Sequence, residues 1–458
     1  MPKNKPTSTN KPLITKFSVE GLFGYKTVTL DFRSPVRIVS AENGTGKTTL
    51  LNALYWTLTG QFFRLQAINF HKLSITFGDG KSVSILKSEV ALVNLRDVDS
   101  SPLMNMRRWG LSRSEITQLM ESYLAYGNSD VFKESSVYEK LYHESPWDDD
   151  EIVERIHSLV ERYVDTEQFS EKKHQITESL GGTEILYLPT YRRIEANLGV
   201  EKVKKAETSR DKLIYFGLSD VEETLNEITK SIRASALAAY TKINATFLDN
   251  LVATGESENT PKQAIKKIDQ EAMKVVLARI GKNDEDPTVR KIDELMRSGA
   301  INSERYYHLK YFLSELASSA KSQAAQEEAI NRFIAVVNGY WDTSVAEKEF
   351  VYDKYAVEVF VRNRISNSRV PLRVLSSGEK QIVSIFSRLN FSDKDSYFVI
   401  IDEPELSLSI DWQRLFLPNV AASPKCRALL AITHSPFVFE NELDEYASSL
   451  RTTNWTSQ

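Results

Sequence analysis

Apolar and polar positions change rhythm along this chain, and each rhythm predicts a different kind of element. Leu13 to Val19, Thr27 to Phe32 and Val36 to Ser40 are short apolar or alternating runs split by Gly21, Gly24 and Pro35, and they predict strands. Leu50, Leu51, Leu54, Tyr55 and Leu58 then recur at helical spacing and stop at Gly60, which predicts one helix. Lys72 to Phe77 and Ser82 to Leu86 flank Gly78-Asp79-Gly80 and read as a hairpin. From about Asp97 to Glu347 helical periodicity dominates. Glu184-Ile185-Leu186-Tyr187-Leu188-Pro189 is the exception there, a strand ended by proline. Gly181-Gly182 and Thr254 to Pro261 read as flexible breaks. Heptads are not sustained, so no long coiled-coil arm is expected, and no internal repeat appears. Phe350 to Ile365 reads as one long strand or two, and the wholly apolar run Tyr397 to Ile401 as a buried central strand of a parallel sheet. Leu429 to Ile432 is another apolar strand, ending in polar residues.

Composition narrows the class. A chain of 458 residues holds two or three domain-sized units, and 41% hydrophobic with 26% charged residues is the balance of a soluble globular protein. The net charge of −4 gives no global pull toward nucleic acid. One cysteine, Cys426, excludes a disulfide framework and a zinc cluster, and its place before an apolar strand suggests packing. No apolar run approaches a membrane span. Met1 to Lys11 are polar and lack an apolar signal core, so a cytoplasmic protein with a disordered tip over residues 1–12 is expected.

Chemistry enters at the ends of the strands. Ala41-Glu42-Asn43-Gly44-Thr45-Gly46-Lys47-Thr48 follows a strand and opens a helix, the context of a phosphate-binding loop. Backbone N–H groups from Asn43 to Thr49 and the helix N-terminus favour phosphate, Lys47 reaches the β- and γ-phosphates, and Thr48 is a Mg²⁺ ligand in this reading. The pattern normally begins with glycine where this chain has Ala41, whereas Gly44 and Gly46 are kept. Asp402 and Glu403 end the apolar run Tyr397 to Ile401; Asp402 is expected to bind Mg²⁺ through water and Glu403 to orient or deprotonate the attacking water. Ser376 and Glu379 fit a Ser-x-x-Glu capping box. On the residues alone, Leu375 to Gln381 is either that cap or a second phosphate-binding helix N-terminus including Gly378. His434, after Leu429 to Thr433, is alone either structural or a group at the carboxyl edge of the sheet.

In order, these four segments resemble ABC-type ATPase heads of the SMC and OLD kind, over about Leu13 to Leu86 and Phe350 to Glu440. The resemblance makes Leu375 to Gln381 the signature motif, with Ser377 for a usual Gly and Glu379 for a usual Gln, and makes His434 the switch histidine. It implies an α/β fold, a P-loop NTPase of the ABC-ATPase head type carrying a large, mainly helical insertion. The head would occupy residues 13–96 and 348–458, and the insertion 97–347. The cofactors implied are ATP and Mg²⁺, in sites shared head to tail by two subunits. A D-loop falls around Ser407 to Asp411, where relatives usually carry His at the place of Ser409. Thr190, Tyr191, Arg192 and Arg193 stand where a Q-loop is expected, without a glutamine.

OLD-type nucleases carry a further metal-binding domain, for which the residues after His434 leave no room. Asp148-Asp149-Asp150 and Asp284-Glu285-Asp286 read as solvated clusters, and one cysteine with six scattered histidines builds no HNH or zinc site. A short head with a helical insertion resembles the PtuA family, ATPases of the Septu anti-phage systems, and a similar retron-associated ATPase. That resemblance implies a homodimer or higher homo-oligomer, an HNH nuclease partner (PtuB-like), contact with DNA or retron RNA–DNA, and no membrane. The surfaces for oligomer and partner would lie around Lys202 to Asn338. The alternative is a RecF-like or SMC-like repair ATPase that binds DNA through Arg192, Arg193, Lys202, Lys204 and Lys205, or through Arg362, Arg364, Arg369 and Arg373. A transporter ATPase ranks last, because it predicts a clear Q-loop and no long insertion.

Overall fold

The computed structural model describes residues 11–42, 44–90, 106–126, 130–164, 167–189, 218–254, 270–279, 281–282, 285–320, 323–343 and 347–456. The N-terminal tip, Asn43, Thr190 to Arg193, Lys202, Lys204, Lys205, Asp284 and the stretch from Gly255 to Pro261 lie outside the described residues. Two compact units are present, Met1–Arg192 with Lys394–Gln458, and Arg193–Asp393.

The first unit is built on two five-stranded sheets. One is antiparallel and contains β1 (Ile14–Leu22), β2 (Lys26–Asp31), β4 (Lys72–Phe77), β5 (Ser82–Leu86) and β13 (Arg451–Asn454), in the order β13-β2-β1-β4-β5. The other is parallel and contains β3 (Val36–Ser40), β6 (Glu184–Leu188), β10 (Tyr397–Asp402), β11 (Cys426–Thr433) and β12 (Ala447–Ser449), in the order β12-β3-β11-β10-β6. Every residue of β10 is buried, as an apolar run covered on both faces must be. β6 falls in the stretch that the sequence assigns to the insertion, yet it is the edge strand of the nucleotide sheet beside β10. A strand five residues long between helices carries no local mark of the sheet it joins, because parallel partners are remote in sequence.

Helix α1 (Lys47–Leu58) is the next element after β3, reached through the loop 41–46, and ends before Gly60, whose φ of 72° favours glycine. Its Leu50, Leu51, Leu54 and Leu58 share one core with Phe17, Val28, Leu73 and Ile75 of the antiparallel sheet and Val39, Ile400 and Ile432 of the parallel one. The helix therefore buries more than one side, and each of those leucines removes about 1.5–3 kcal/mol worth of apolar surface from water. A separate helical cluster in this unit, covering residues 106–164, packs Ile116, Phe132, Leu141, Ile152 and Ile156 into its own core.

The second unit pairs helices with a three-stranded antiparallel sheet, β7 (Lys348–Asp353), β8 (Glu358–Asn363) and β9 (Arg369–Val370). Phe350 to Ile365 thus forms two strands, with the chain turned at Val357 (φ 52°). Phe350 stacks on Trp341 (centroids 5.4 Å, planes 6° apart) and meets Phe333 edge-on, so the helix Ala324–Trp341 lies across this sheet. The same helix packs on Ser377–Phe391 through Tyr340 and Phe386. The helix Ser219–Thr254, 36 residues long, contributes Ile232 to a core with Ile330 and Val357. Among the described residues, no helix is long and apolar enough to cross a membrane.

Candidate active site

Parallel register brings three strand ends level. Thr433 of β11 pairs with Ser40 of β3, and Ile432 pairs with Asp402 of β10, so each chain leaves the sheet at the same carboxyl edge. Ligands of open α/β sheets bind at that edge. There β3 runs into the loop from Ala41 to Gly46, β10 into Asp402-Glu403, and β11 into His434.

The loop is shaped by glycine. Gly44 and Gly46 have φ of 78° and 87°, a region that L side chains rarely adopt. Gly46 is also the residue before α1, and a Cβ there would lie 2.9 Å from the Phe23 ring. Ala41 needs no glycine. Its N–H donates to Thr433 O (3.4 Å), and its methyl packs against the core. Thr45 closes the loop by donating its hydroxyl to Glu42 O at 2.9 Å.

Lys47 and Thr48 begin α1 and face the carboxylates. Thr48 Oγ1 donates to Asp402 Oδ2 at 2.8 Å across 354 positions of sequence. Asp402 is wholly buried and Lys47 almost so. Lys47 Nζ lies 3.5 Å from Glu403 Oε1, donates to Ala41 O at 3.4 Å and meets His434 Nε2. His434 Nε2 lies 3.6 Å from the same Glu403 oxygen. Glu403 adopts φ 52°, unusual for a residue with a side chain, while its N–H donates to Ile432 O at 2.8 Å. The backbone is thus bent sharply where the expected base sits. Beneath the site, Tyr187 of β6 donates to Asn52 of α1 at 2.9 Å; burial first, and then the Asp402 charge, push its phenol well above the usual range.

Residues that sequence reasoning passed over complete the first unit's site. Lys26, buried at the start of β2, donates to Thr45 O at 2.8 Å and lies 5.0 Å from the Phe23 ring centroid and 5.6 Å from that of Tyr25. Phe23 (φ 57°) and Tyr25 are exposed aromatic residues. The signal in the sequence was two aromatics and a lysine in a glycine-broken turn between the first strands, a pattern shared by many surface turns. Glu405 and Gln413, described below, were also missed.

Ser376 to Glu379, which the resemblance makes a signature motif, belong to the second unit. Ser376 caps the helix Ser377–Phe391, its hydroxyl accepting from Glu379 N (3.3 Å) while Ser376 N donates to Glu379 Oε2 (2.7 Å). Glu379 also takes Lys348 Nζ at 3.0 and 3.1 Å, so its carboxylate is engaged within its own unit. Ser376 and Ser377 are exposed at the helix start, and Gly378 is buried. Ser409 caps the helix Ile410–Ala421 by accepting from Trp412 N at 3.4 Å.

The other charged groups are largely occupied. Arg362 binds Glu349 (2.5 Å), Arg364 binds Asp342 (2.8 Å), and Arg369 binds Glu358 (2.5 Å). Asp148 accepts from Glu151 N, Asp149 takes Tyr138 Oη and Lys133, and Asp286 caps Pro287–Arg297 and pairs with Lys282. Among the described residues, no three His, Cys, Asp or Glu side chains are grouped to hold a metal ion.

Lys47, Thr48, Asp402, Glu403 and His434 thus come together at one sheet edge. The donor set fits a nucleotide and its ion: glycines in left-handed conformation leave backbone N–H groups bare, Lys47 and Lys26 offer positive charge, and Thr48 and Asp402 are hard oxygen donors.

The AAA ATPase domain family profile matches residues 13–439. No curated protein matches the chain. Solved structures similar to it include an Smc head domain with an extended coiled coil, bound to the C-terminal domain of ScpA, derived from Pyrococcus furiosus. That match has 12% identity and TM-score 0.34, and covers 96% of each chain. An SmcHead bound to the C-winged helix domain of ScpA matches at 10% identity and TM-score 0.33, covering 97% of this chain and 98% of that one. An Smc head domain with a coiled coil and joint, derived from Pyrococcus yayanosii, matches at 14% identity and TM-score 0.26, covering 97% of each.

Proposed function

We propose, from the premise that this chain belongs to the AAA ATPase domain family, that it is the ATP-hydrolysing regulatory subunit of an anti-phage defence complex whose nuclease is a separate HNH protein. The hydrogen bond from Thr48 to Asp402 carries the enzymatic part, because it draws the glycine loop and the paired carboxylates into one site. Thr48 and Asp402 would hold a Mg²⁺ ion, which when bound would supply positive charge against the phosphates of ATP. The loop from Gly44 to Thr49 orients the phosphates, with Lys47 turning from Glu403 toward them. Glu403 would accept the proton of the water whose oxygen bonds to the γ-phosphorus as the bridging P–O bond to the β-phosphate breaks and ADP leaves, and His434, 3.6 Å away, would orient that carboxylate. Phe23 offers a π-face beside Gly46 for a base.

The same reading gives Ser376, Gly378 and the start of the helix Ser377–Phe391 to the nucleotide of a second copy, with dimer closure on binding and opening on hydrolysis. Glu379 would act there through the cap it stabilises. The head and insertion boundaries at 96/97 and 347/348 remain part of this proposal, with β6 returning from within the insertion to the sheet of the head. The PtuA-like arrangement of motifs around a helical insertion favours the defence role.

The test is expression of the tagged chain with its genomic neighbours, native purification, and native mass spectrometry, alongside ATP binding and turnover. The expected result is a multimer of this chain carrying an HNH-type nuclease, with ATP binding lost in Lys47→Ala. A lone chain that dimerises only with ATP and binds DNA with a steep salt dependence would replace this reading by the repair one. ATP binding retained by Lys47→Ala would overturn the loop assignment.

A further inference from the structure

Three donors converge on Glu405, three residues beyond Asp402. Glu405 Oε1 accepts the backbone N–H of His434 at 2.8 Å and that of Ser435 at 3.2 Å, and Oε2 accepts the Thr433 hydroxyl at 2.7 Å. A second tie runs in parallel. Gln413 accepts from Ser435 Oγ at 2.7 Å through its oxygen and donates to Leu408 O at 2.9 Å through its nitrogen. The turn that follows β10 and the turn that follows β11 are therefore joined at both ends. Within the first turn Leu406 N donates to Glu403 O and Leu408 N to Glu405 O, both at 3.2 Å, and Glu403 N donates across to Ile432 O at 2.8 Å. Its residues Glu403 and Ser407 both hold left-handed φ, at 52° and 65°, a conformation costly to residues with side chains. Neither the bare Asp402-Glu403 pair nor a lone His434 sets the spacing of the two reactive side chains.

We infer that Glu405 is a positioning residue for hydrolysis, fixing His434 against Glu403 by holding the backbone of residues 433–435. This deepens the ATPase reading of the site and rests on it. Charge-assisted bonds to two consecutive N–H groups are short and directional, so the carboxylate sets where the His434 ring begins. A glutamine is nearly isosteric. Its oxygen retains both N–H bonds, and its amide donates to Thr433 Oγ1, which then keeps its own bond to Ser435 O. An alanine removes the carboxylate from the His434 N–H outright, leaves Ser435 N with Thr433 Oγ1 at 3.0 Å, and leaves the Thr433 hydroxyl with Ser435 O at 3.3 Å.

The experiment compares Glu405→Ala and Glu405→Gln in the full chain, with and without co-purifying subunits. ATP affinity, turnover, melting temperature and amide hydrogen exchange are measured on each. For Glu405→Ala, kcat should fall by about 10- to 100-fold with the ATP Kd within about twofold, as expected when reacting groups are misplaced by about 1 Å. Amide exchange at His434 and Ser435 should rise while the rest of the parallel sheet keeps its protection. Glu405→Gln should recover most of the turnover and the protection. Wild-type turnover in Glu405→Ala, unchanged exchange at those two amides, or equal loss in both variants would overturn the inference. So would a turnover loss that follows a general fall in protection and melting temperature, since the role would then be only structural. If the wild-type chain itself does not hydrolyse ATP, the ATPase reading fails. The exchange at His434 and Ser435 then decides alone whether Glu405 holds that turn.

Discussion

Glu403, the proposed base, lies 3.5 Å from Lys47 and 3.6 Å from His434, on a backbone that a side-chain-bearing residue adopts at a cost. Replacing its carboxylate by an amide keeps the shape and removes the proton acceptor. Glu403→Gln should therefore bind ATP within about twofold of wild type and lose about 100-fold or more of turnover. Single-turnover hydrolysis with equilibrium ATP binding checks this, and an unchanged hydrolysis rate would remove Glu403 from its role. The adjacent pair of carboxylates after an apolar run was legible because both strand burial and chemistry leave marks in neighbouring residues. Lys26 was not, since its link to the loop is a single hydrogen bond from a turn whose composition resembles any surface turn. Nor was Glu405, because its partners arrive from β11, 28 to 30 positions on.

At the scale of elements, strands and helix around the glycine loop follow from local rhythm: β1, β2, β3, α1 and the β4–β5 hairpin all fall where the alternation and glycines place them. What local rhythm lacks is partner choice, hence β6 in the parallel sheet, while for Phe350 to Ile365, read as one long strand or two, the structure has two. The helical cluster of residues 106–164 shows how a capping interaction becomes a measurable property. Glu115 accepts from Ser112 N and Ser112 Oγ (both 2.7 Å) at the start of Arg113–Tyr126, and from Lys140 at 2.9 Å. Those partners, the Ser112 hydroxyl foremost, lower its carboxyl from 4.5 to about 2. A lowered pKa in the folded state means that the group stabilises fully above its unfolded value and stops doing so as pH falls through the folded one. The melting temperature of wild type should exceed that of Glu115→Gln at pH 6, by a small margin because the pair is solvent-exposed, and the gap should close between about pH 4.5 and pH 2. Thermal melts followed by circular dichroism across that range check it; a gap that does not change with pH would contradict the cap.

The two compact units divide the chemistry of the whole molecule between them. Lys47, Asp402, Glu403 and His434 belong to one, and Ser376, Ser377 and Gly378 to the other. A chain that serves both sides of a nucleotide shared by two subunits has a property that a self-contained ATPase lacks: defects on opposite sides complement. A Lys47→Ala subunit cannot bind ATP in its own loop but still presents an intact Ser376 cap. A Ser376→Ala subunit loses the hydroxyl that holds Glu379 N, a change of about 1 kcal/mol at a helix start, but keeps its loop and carboxylates. In a mixed dimer one of the two composite sites then combines wild-type halves. Random pairing of equal amounts places half of the dimers in the mixed form, each with one sound site of two. Hydrolysis should thus return to about a quarter of the wild-type rate if the sites turn over independently, and to less if closure requires both nucleotides. Each mutant alone should stay near background. The measurement is turnover after mixing the two proteins, with subunit exchange verified by native mass spectrometry of differently tagged chains. Turnover that never exceeds the mean of the separate mutants, with mixed dimers present, would place each site within a single subunit.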